Sequence, residues 1–471
     1  MSRVLAALLL FTCRIYAAVA LHASQQAAGP SIHLADNPGW PSGNGAVQQR
    51  PPDSGQHPSP AVPAHIRAEV ERLWYQGAAA AAGSTLHNQG LVQIAYSDPS
   101  SGVYLGSPSI ARLDPQTLLV SHDTFPEWGR PKATTVWSSQ DGGASWQRRA
   151  VVPRQYWSTL FVHRGALYLL GTDDSDGHNA VAISRSTDGG ETWNQSMIAR
   201  PSAGCHFGTG AMPVLLQGGI LYRSMEYWCG TEWAWPQFYH ALLLSAPADA
   251  DLLSPASWSA SQARQFSSDM LPAWMPGPMV SGGYLEGNAV SLPGGAGVGL
   301  LLRCLVYDAQ GRTYTMQHAC LFQLRPGPSP GPAAPGSDSL AWQDFVDMPG
   351  GGNRFTARWV PEARRYLALT NPSIDRYGSN PDARNILVLV HSTDLLSWRI
   401  ATTVLIPNDG LTWEQSLWMT GYHYADWIVD GSDILAAVRT AYDGAHSYHD
   451  SNRITFKRIG NFRRYLPPMP A

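Results

Sequence analysis

Arginine, glutamate, histidine and tyrosine recur at the ends of apolar runs in this chain, although only 14% of its residues are charged. The set is His122 and Asp123, His206, Arg223 and Glu226, Glu286 and Asn288, Arg303, Asn353 and Arg354, Tyr424 and Asp426, and Arg439 with Tyr442. These residue types suit two kinds of chemistry. A guanidinium offers a planar fork that grips a carboxylate through two hydrogen bonds. A phenol beside a carboxylate can pass on its proton and attack as a nucleophile, and an imidazole can serve as a base. The plain alternative is that the arginines pair with Glu226 and Glu286 in structural ion pairs.

Groups so far apart in sequence meet only if the chain folds back regularly, and it carries a repeat that would do so. Ser139-Gln-Asp-Gly-Gly-Ala-Ser-Trp146 and Ser186-Thr-Asp-Gly-Gly-Glu-Thr-Trp193 share the pattern S-x-D-x-G-x-x-W. A third copy, Ser392-Thr-Asp-Leu-Leu-Ser-Trp398, is one residue short and lacks the glycine. Each lies between two β-like runs. The aspartate caps the turn, the glycine takes a positive φ and the tryptophan folds back over the hairpin. An ordinary D-G hairpin would explain one copy but not three in the same context.

From Leu91 onward the sequence divides into β-like runs broken by turn residues, and the runs group in fours. The count gives six sheets, or seven if two have been merged. The last group has only three strands, and the run at 91–97 supplies the fourth. The expectation is an all-β, six-bladed β-propeller of four-stranded antiparallel sheets over residues 85–465, closed by an N-terminal strand. In such a ring the start of each first strand and the end of each second strand surround the axis, on the rim away from the S-x-D turns. The charged set falls at those positions. A pocket with several inward arginines suits an acidic sugar.

The repeat resembles the Asp-box of sialidase-type β-propellers, and the resemblance extends to the rim. Glu286-Gly-Asn-Ala-Val-Ser-Leu-Pro-Gly-Gly295 is similar to the strand that opens on the sialidase glutamate. Leu300-Leu-Leu-Arg303 is similar to the strand that ends in the second arginine. Asn371-Pro372 followed by Arg384-Asn-Ile-Leu-Val-Leu-Val-His-Ser-Thr-Asp394 is similar to the setting of the third. Tyr424-Ala-Asp-Trp427 before Val429-Asp-Gly431 is similar to the nucleophile segment. The resemblance implies a retaining hydrolase of terminal acidic sugars, with Tyr424 as nucleophile and Glu286 as its base. It also implies Arg303 and Arg384 as substrate ligands and an aspartate acid/base, for which Asp123 is the candidate and Glu127 a weaker one. A tyrosine nucleophile in place of the usual second carboxylate is a known exception among glycosidases.

Two features depart from that pattern. Sialidases open their first strand with an arginine, where this chain has Tyr104-Leu-Gly-Ser-Pro108. Histidines are also numerous. His122, His206 and Arg439 therefore join the candidate substrate ligands. A second reading is a propeller lyase or glycosidase for uronate-containing polysaccharide, with His122 or His206 as base and Tyr442 or Tyr424 as acid. A third is a non-catalytic glycan-binding propeller, with Trp157, Trp228 and Trp233 stacking on sugars.

Composition limits the remaining possibilities. Gly (45), Pro (36) and Trp (18) suit short strands and turns rather than helical bundles. A net charge of -3 gives no basic field, so nucleic acid is not an expected partner. Residues 1–24 read as a secretory signal, with Arg3, an apolar run from Leu5 to Cys13 and Ala18-Val-Ala20, implying an extracellular protein. Residues 25–84 read as a Pro/Gly/Gln-rich linker containing a short helix at about 63–76. No run is long enough to span a membrane. The four remaining cysteines allow Cys304–Cys320 and Cys205–Cys229 disulfides, or four free thiols. No cofactor, nucleotide or metal motif is expected, and Asp173, Asp174 and Asp176 read as a solvated turn rather than a calcium loop.

Overall fold

Short apolar runs that alternate in period two, each ended by a turn, can bury both faces only if sheets pack face to face. A computed structural model of the chain shows that arrangement. It describes residues 86–126, 132–173, 179–230, 236–275, 278–311, 313, 315–327, 337–372 and 382–468. The leader, the whole linker with its helix at 63–76, Glu127, Asp174, Asp176 and Trp233 lie outside these residues.

Six antiparallel sheets follow one another along the chain. The first blade is Val103–Arg112, Leu118–Pro126, Ala133–Ser139 and Gln147–Pro153, and the second is Gln155–His163, Ala166–Asp173, Ala180–Ser186 and Asn194–Ala199. The third has a divided inner strand, Cys205–Gly208 and Leu215–Gln217, then Ile220–Cys229, His240–Pro247 and the short Ser259–Ala260. The fourth is Met279–Ser291, Val298–Asp308, His318–Arg325 and Ser339–Asp347; the fifth is Thr356–Val360, Arg365–Thr370, Leu387–Ser392 and Arg399–Leu405. Gly421–Asp430, Asp433–Ala441 and Arg453–Ile459 form the sixth, and Leu91–Tyr96 adds antiparallel to Arg453–Ile459 as its fourth strand. The six-bladed propeller expected from the run count is what the chain forms.

The core is a set of layers between neighbouring blades. In the second strand of the first blade, Leu118 and Val120 pack with Ile454 and Phe456 of the sixth blade. Leu119, one residue out of phase, packs with Leu167 and Leu169 of the second. One strand thus seals two interfaces through its period of two. The S-x-D turns lock these layers from outside. Trp146 and Trp193 donate their indole N–H to the carbonyls of Gly143 and Gly190. Gly143 holds φ +96°, and a Cβ there would lie 2.3 Å from the Phe456 ring of the sixth blade. Both disulfides form, Cys205–Cys229 across the first two strands of the third blade and Cys304–Cys320 across the middle strands of the fourth.

Candidate functional site

Four blades carry the same distortion in their innermost strand. The ladder slips at Gly106/Ser109, Tyr156/Thr159, Leu285/Asn288 and His423/Asp426. Within each slip one non-glycine residue takes a left-handed backbone: Ser107, Trp157, Glu286 and Tyr424, with φ between 47° and 53°. Such a conformation costs about 1–3 kcal/mol and persists only where its surroundings enforce it. In three of the four, side chains of the preceding blade do so. Asp123 Oδ2 accepts the Trp157 N–H at 2.6 Å and Glu226 Oε1 accepts the Glu286 N–H at 2.5 Å. Asn371 Nδ2 donates to the Tyr422 carbonyl at 2.8 Å, and Arg354 donates to the Ala425 carbonyl at 2.7 Å, bracketing Tyr424.

These bulges aim Tyr424 and Glu286 at each other across the ring. The Tyr424 hydroxyl donates to Glu286 Oε1 at 2.5 Å, joining residues of the fourth and sixth blades. Burial, then the Glu286 charge, pushes the phenol up to about 12, against the pull of Arg384, Arg303 and Arg439. The phenol is therefore protonated at neutral pH, with Glu286 Oε1 within reach of its proton. Three guanidiniums surround its ring: Arg439 at 5.1 Å, and Arg354 and Arg384 at 5.5 Å each. A fourth, Arg303, lies 3.4 Å from Glu286 Oε2 and donates from Nε to the Gly352 carbonyl at 2.6 Å.

The arginines are not equivalent. Arg384 Nη2 pairs with Asp382 at 3.0 Å, and Arg303 Nη2 is 3.9 Å from the same carboxylate. The Tyr448 hydroxyl donates to Asp382 at 3.1 Å. Burial favours the neutral acid, but Arg384 and Arg303 outweigh it and hold Asp382 below the usual carboxylate range. Arg354 spends its two Nη groups on the backbone carbonyls of Ala425 and Ala211. Arg439 stacks on Phe125 at 4.5 Å and donates from Nη2 to the His449 carbonyl. Burial pulls its guanidinium down to about 10, which still leaves it charged.

The sequence matches no family model. No curated protein resembles it in sequence. Among solved structures, an α-L-arabinanase of Penicillium chrysogenum, complexed with arabinobiose, superposes with a TM-score of 0.50 at 13% identity, over 80% of this chain and 99% of that one. The Hadza microbial sialidase Hz136 gives 0.45 at 12% identity over 76% and 66% of the two chains. Trypanosoma rangeli sialidase gives 0.44 at 11% identity over 79% and 56%. The likeness is one of fold.

Of the residues singled out from sequence, the ring brings Tyr424, Glu286, Arg303, Arg384 and Arg439 together. Asp123 lies in the first blade, bound by Thr134 at 3.0 Å as well as by the Trp157 N–H. Burial raises its carboxyl to about 7, although hydrogen bonds from Trp157, Thr134 and Ser107 oppose this. His122 packs on Trp137 with its Nδ1 against the Asp123 carbonyl, and burial lowers it to about 4. His206 stacks on Trp228, which stacks in turn on Tyr239. Asp382, Tyr448 and His423 were not foreseen. His423 precedes Tyr424 and holds Nδ1 3.0 Å from Arg384 Nη1, with burial and then the neighbouring Arg439 keeping the imidazole neutral. Its place beside Tyr424 was legible in sequence. Asp382, in a loop without strand periodicity, left no such signal.

Proposed function

We propose that this protein is a glycoside hydrolase that removes a terminal acidic sugar with retention of configuration, using Tyr424 as nucleophile. The observation that carries the reading is the 2.5 Å hydrogen bond from a bulge-held phenol to a bulge-held carboxylate, ringed by arginines. In the first step the Tyr424 oxygen bonds to the anomeric carbon while its proton passes to Glu286. The glycosidic C–O bond breaks, and the leaving oxygen takes a proton from Asp123. In the second step Asp123 accepts a proton from water, the water oxygen bonds to the anomeric carbon, and Tyr424 leaves, regaining its proton from Glu286. Phenol suits a substrate with a carboxylate on the anomeric carbon, because a carboxylate nucleophile would meet like charge there.

A histidine-based elimination is less well supported, since His122 is packed on Trp137 and His206 on Trp228. The two disulfides suit an oxidising compartment. We place the hydrolase in residues 85–465, preceded by a secretory leader and linker.

The test is release of a fluorophore from an aryl sialoside by the full-length protein and its loss in Tyr424→Phe. Release of unsaturated uronate from polysaccharide instead, read in the ultraviolet, would replace this reading with the lyase. For Asp123, Asp123→Asn is compared on aryl and alkyl glycosides. A proton donor is dispensable for an activated aryl leaving group, whereas a residue that only positions Trp157 is needed equally for both.

A further inference from the structure

Asp382 makes the arginines beside Tyr424 unequal in what they can still bind. A carboxylate of this chain already stands between Arg384 and Arg303, with Nη2 of Arg384 3.0 Å from Oδ2 and Nη2 of Arg303 3.9 Å from Oδ1. Tyr448 anchors it further. An incoming anion would have to displace Asp382 to use that pair. Arg354 is held by two backbone carbonyls.

Arg439 differs. It is 4% exposed, and among the described residues no carboxylate lies within ion-pair distance of it. Its Nη2 donates to the His449 carbonyl, and its Nε, like those of Arg354 and Arg384, is buried with no hydrogen-bond partner. The carboxylates of Asp450 and Glu286 act on it only from beyond ion-pair distance, so an anionic ligand would supply the direct counter-charge that a buried guanidinium lacks. The sequence makes room for this arrangement. A Cβ at Gly106 would lie 3.5 Å from Arg439 Nη1 and 2.9 Å from the Phe125 ring on which Arg439 stacks. Gly106 thus leaves room beside Phe125, and an arginine from the adjoining blade stands against it. From there the guanidinium is 5.1 Å from the Tyr424 ring.

We infer that Arg439, set against Gly106 and Phe125, is the specificity-determining residue that receives the anionic group of the substrate, while Asp382 occupies the Arg303–Arg384 pair. The inference rests on the proposed hydrolase for its substrate, but its test does not depend on turnover. Full-length Tyr424→Phe protein is titrated calorimetrically with N-acetylneuraminate and galacturonate, and with the methyl ester of each. The expected result is that at least one acid binds about 10- to 100-fold more tightly than its ester, the range of a charged hydrogen-bonded contact. Adding Arg439→Gln should reduce that ratio to near one. Adding Gly106→Ala, which forces aside the Phe125 ring on which Arg439 stacks while retaining the charge, should reduce it partially. Circular dichroism and the melting temperature verify that each variant is folded, and the Gly106→Ala result stands by itself if Arg439→Gln does not fold.

Equal binding of acid and ester by the parent protein overturns the inference. So does a preference that survives Arg439→Gln but disappears in Arg384→Gln, which would place the anion at the pair. If acid preference follows Arg439 while the unmodified protein hydrolyses no glycoside, the hydrolase fails and the anion site stands.

Discussion

A phenol raised to about 12 is a poor nucleophile at neutral pH, so under the proposed mechanism the rate should depend steeply on the carboxylate assigned to take its proton. Glu286→Gln keeps the size and loses the base, and should lower kcat/KM for an aryl glycoside by roughly 10²- to 10⁴-fold. An effect below tenfold would remove Glu286 from that role. Asp123 gives a second expectation, in pH. Its carboxyl is lifted from 3.8 to about 7 in the folded protein, so over that window the folded state holds a proton that the unfolded state has lost. Stability should therefore fall as pH rises from about 4 to about 7, and Asp123→Asn should flatten the slope, as melting temperatures across that range will show. If Asp123 is also the proton donor, activity declines above about pH 7 in the native protein. At this scale the sequence was most informative where strands set the position. Arg303 and Arg439 belong to second strands that the run pattern located, and Glu286 and Tyr424 to inner strands that it found but began several residues late. Asp382 was not legible, because a loop carries no period, and its effect on Arg384 and Arg303 is visible only in three dimensions.

The elements were readable because one turn chemistry repeats. In the third copy, which lacks the glycine, Leu395 itself takes φ +69°, and Trp398 donates to its carbonyl at 3.0 Å, as the other two tryptophans do to glycine. Leu395 tolerates this backbone because it is fully buried among Val388, Val390 and Trp398. Leu395→Gly sets two effects against each other. Relief of the left-handed strain gains about 1–2 kcal/mol, while removing a buried leucine side chain costs about 2–5 kcal/mol or more. The cavity wins, and chemical denaturation should show a net loss of roughly 1–3 kcal/mol. A stabilised variant would mean that strain dominates. What the run pattern missed has local causes. It placed the start of the fourth blade at Glu286, whereas the strand runs from Met279, continuing through the slip at Leu285/Asn288. In the third blade the inner strand is interrupted between Gly208 and Leu215, where the Gly210 and Ala211 carbonyls accept from Arg223 and Arg354 instead of a neighbouring strand. Side chains that replace ladder hydrogen bonds cannot be read from alternation.

The ring as a whole depends on a strand borrowed from the other end of the chain. Leu91–Tyr96 pairs with Arg453–Ile459, placing residues near the start of the described chain beside those near its end. Leu91 packs in the layer between the fifth and sixth blades, and Ile94 in the layer between the sixth and first. Further bonds secure the junction. The Ser97 N–H donates to the Asn452 carbonyl, and the Leu105 N–H to that of Ser451, both at 2.9 Å. Tyr424 and Arg439 stand in the sixth blade, Gly106 and Phe125 in the first, so this one junction sets the distance from Arg439 to Phe125. Loosening it should affect the fold and the placing of Arg439 against Phe125 together. Ile94→Ala removes apolar packing from the closing layer, far from any reacting group, and should cost about 2–5 kcal/mol. Its melting temperature should drop, with activity and tryptophan fluorescence lost at the same temperature. Loss of activity well below the fluorescence transition would show instead that the closing blade opens on its own, as a separate unit of a ring that otherwise stays folded.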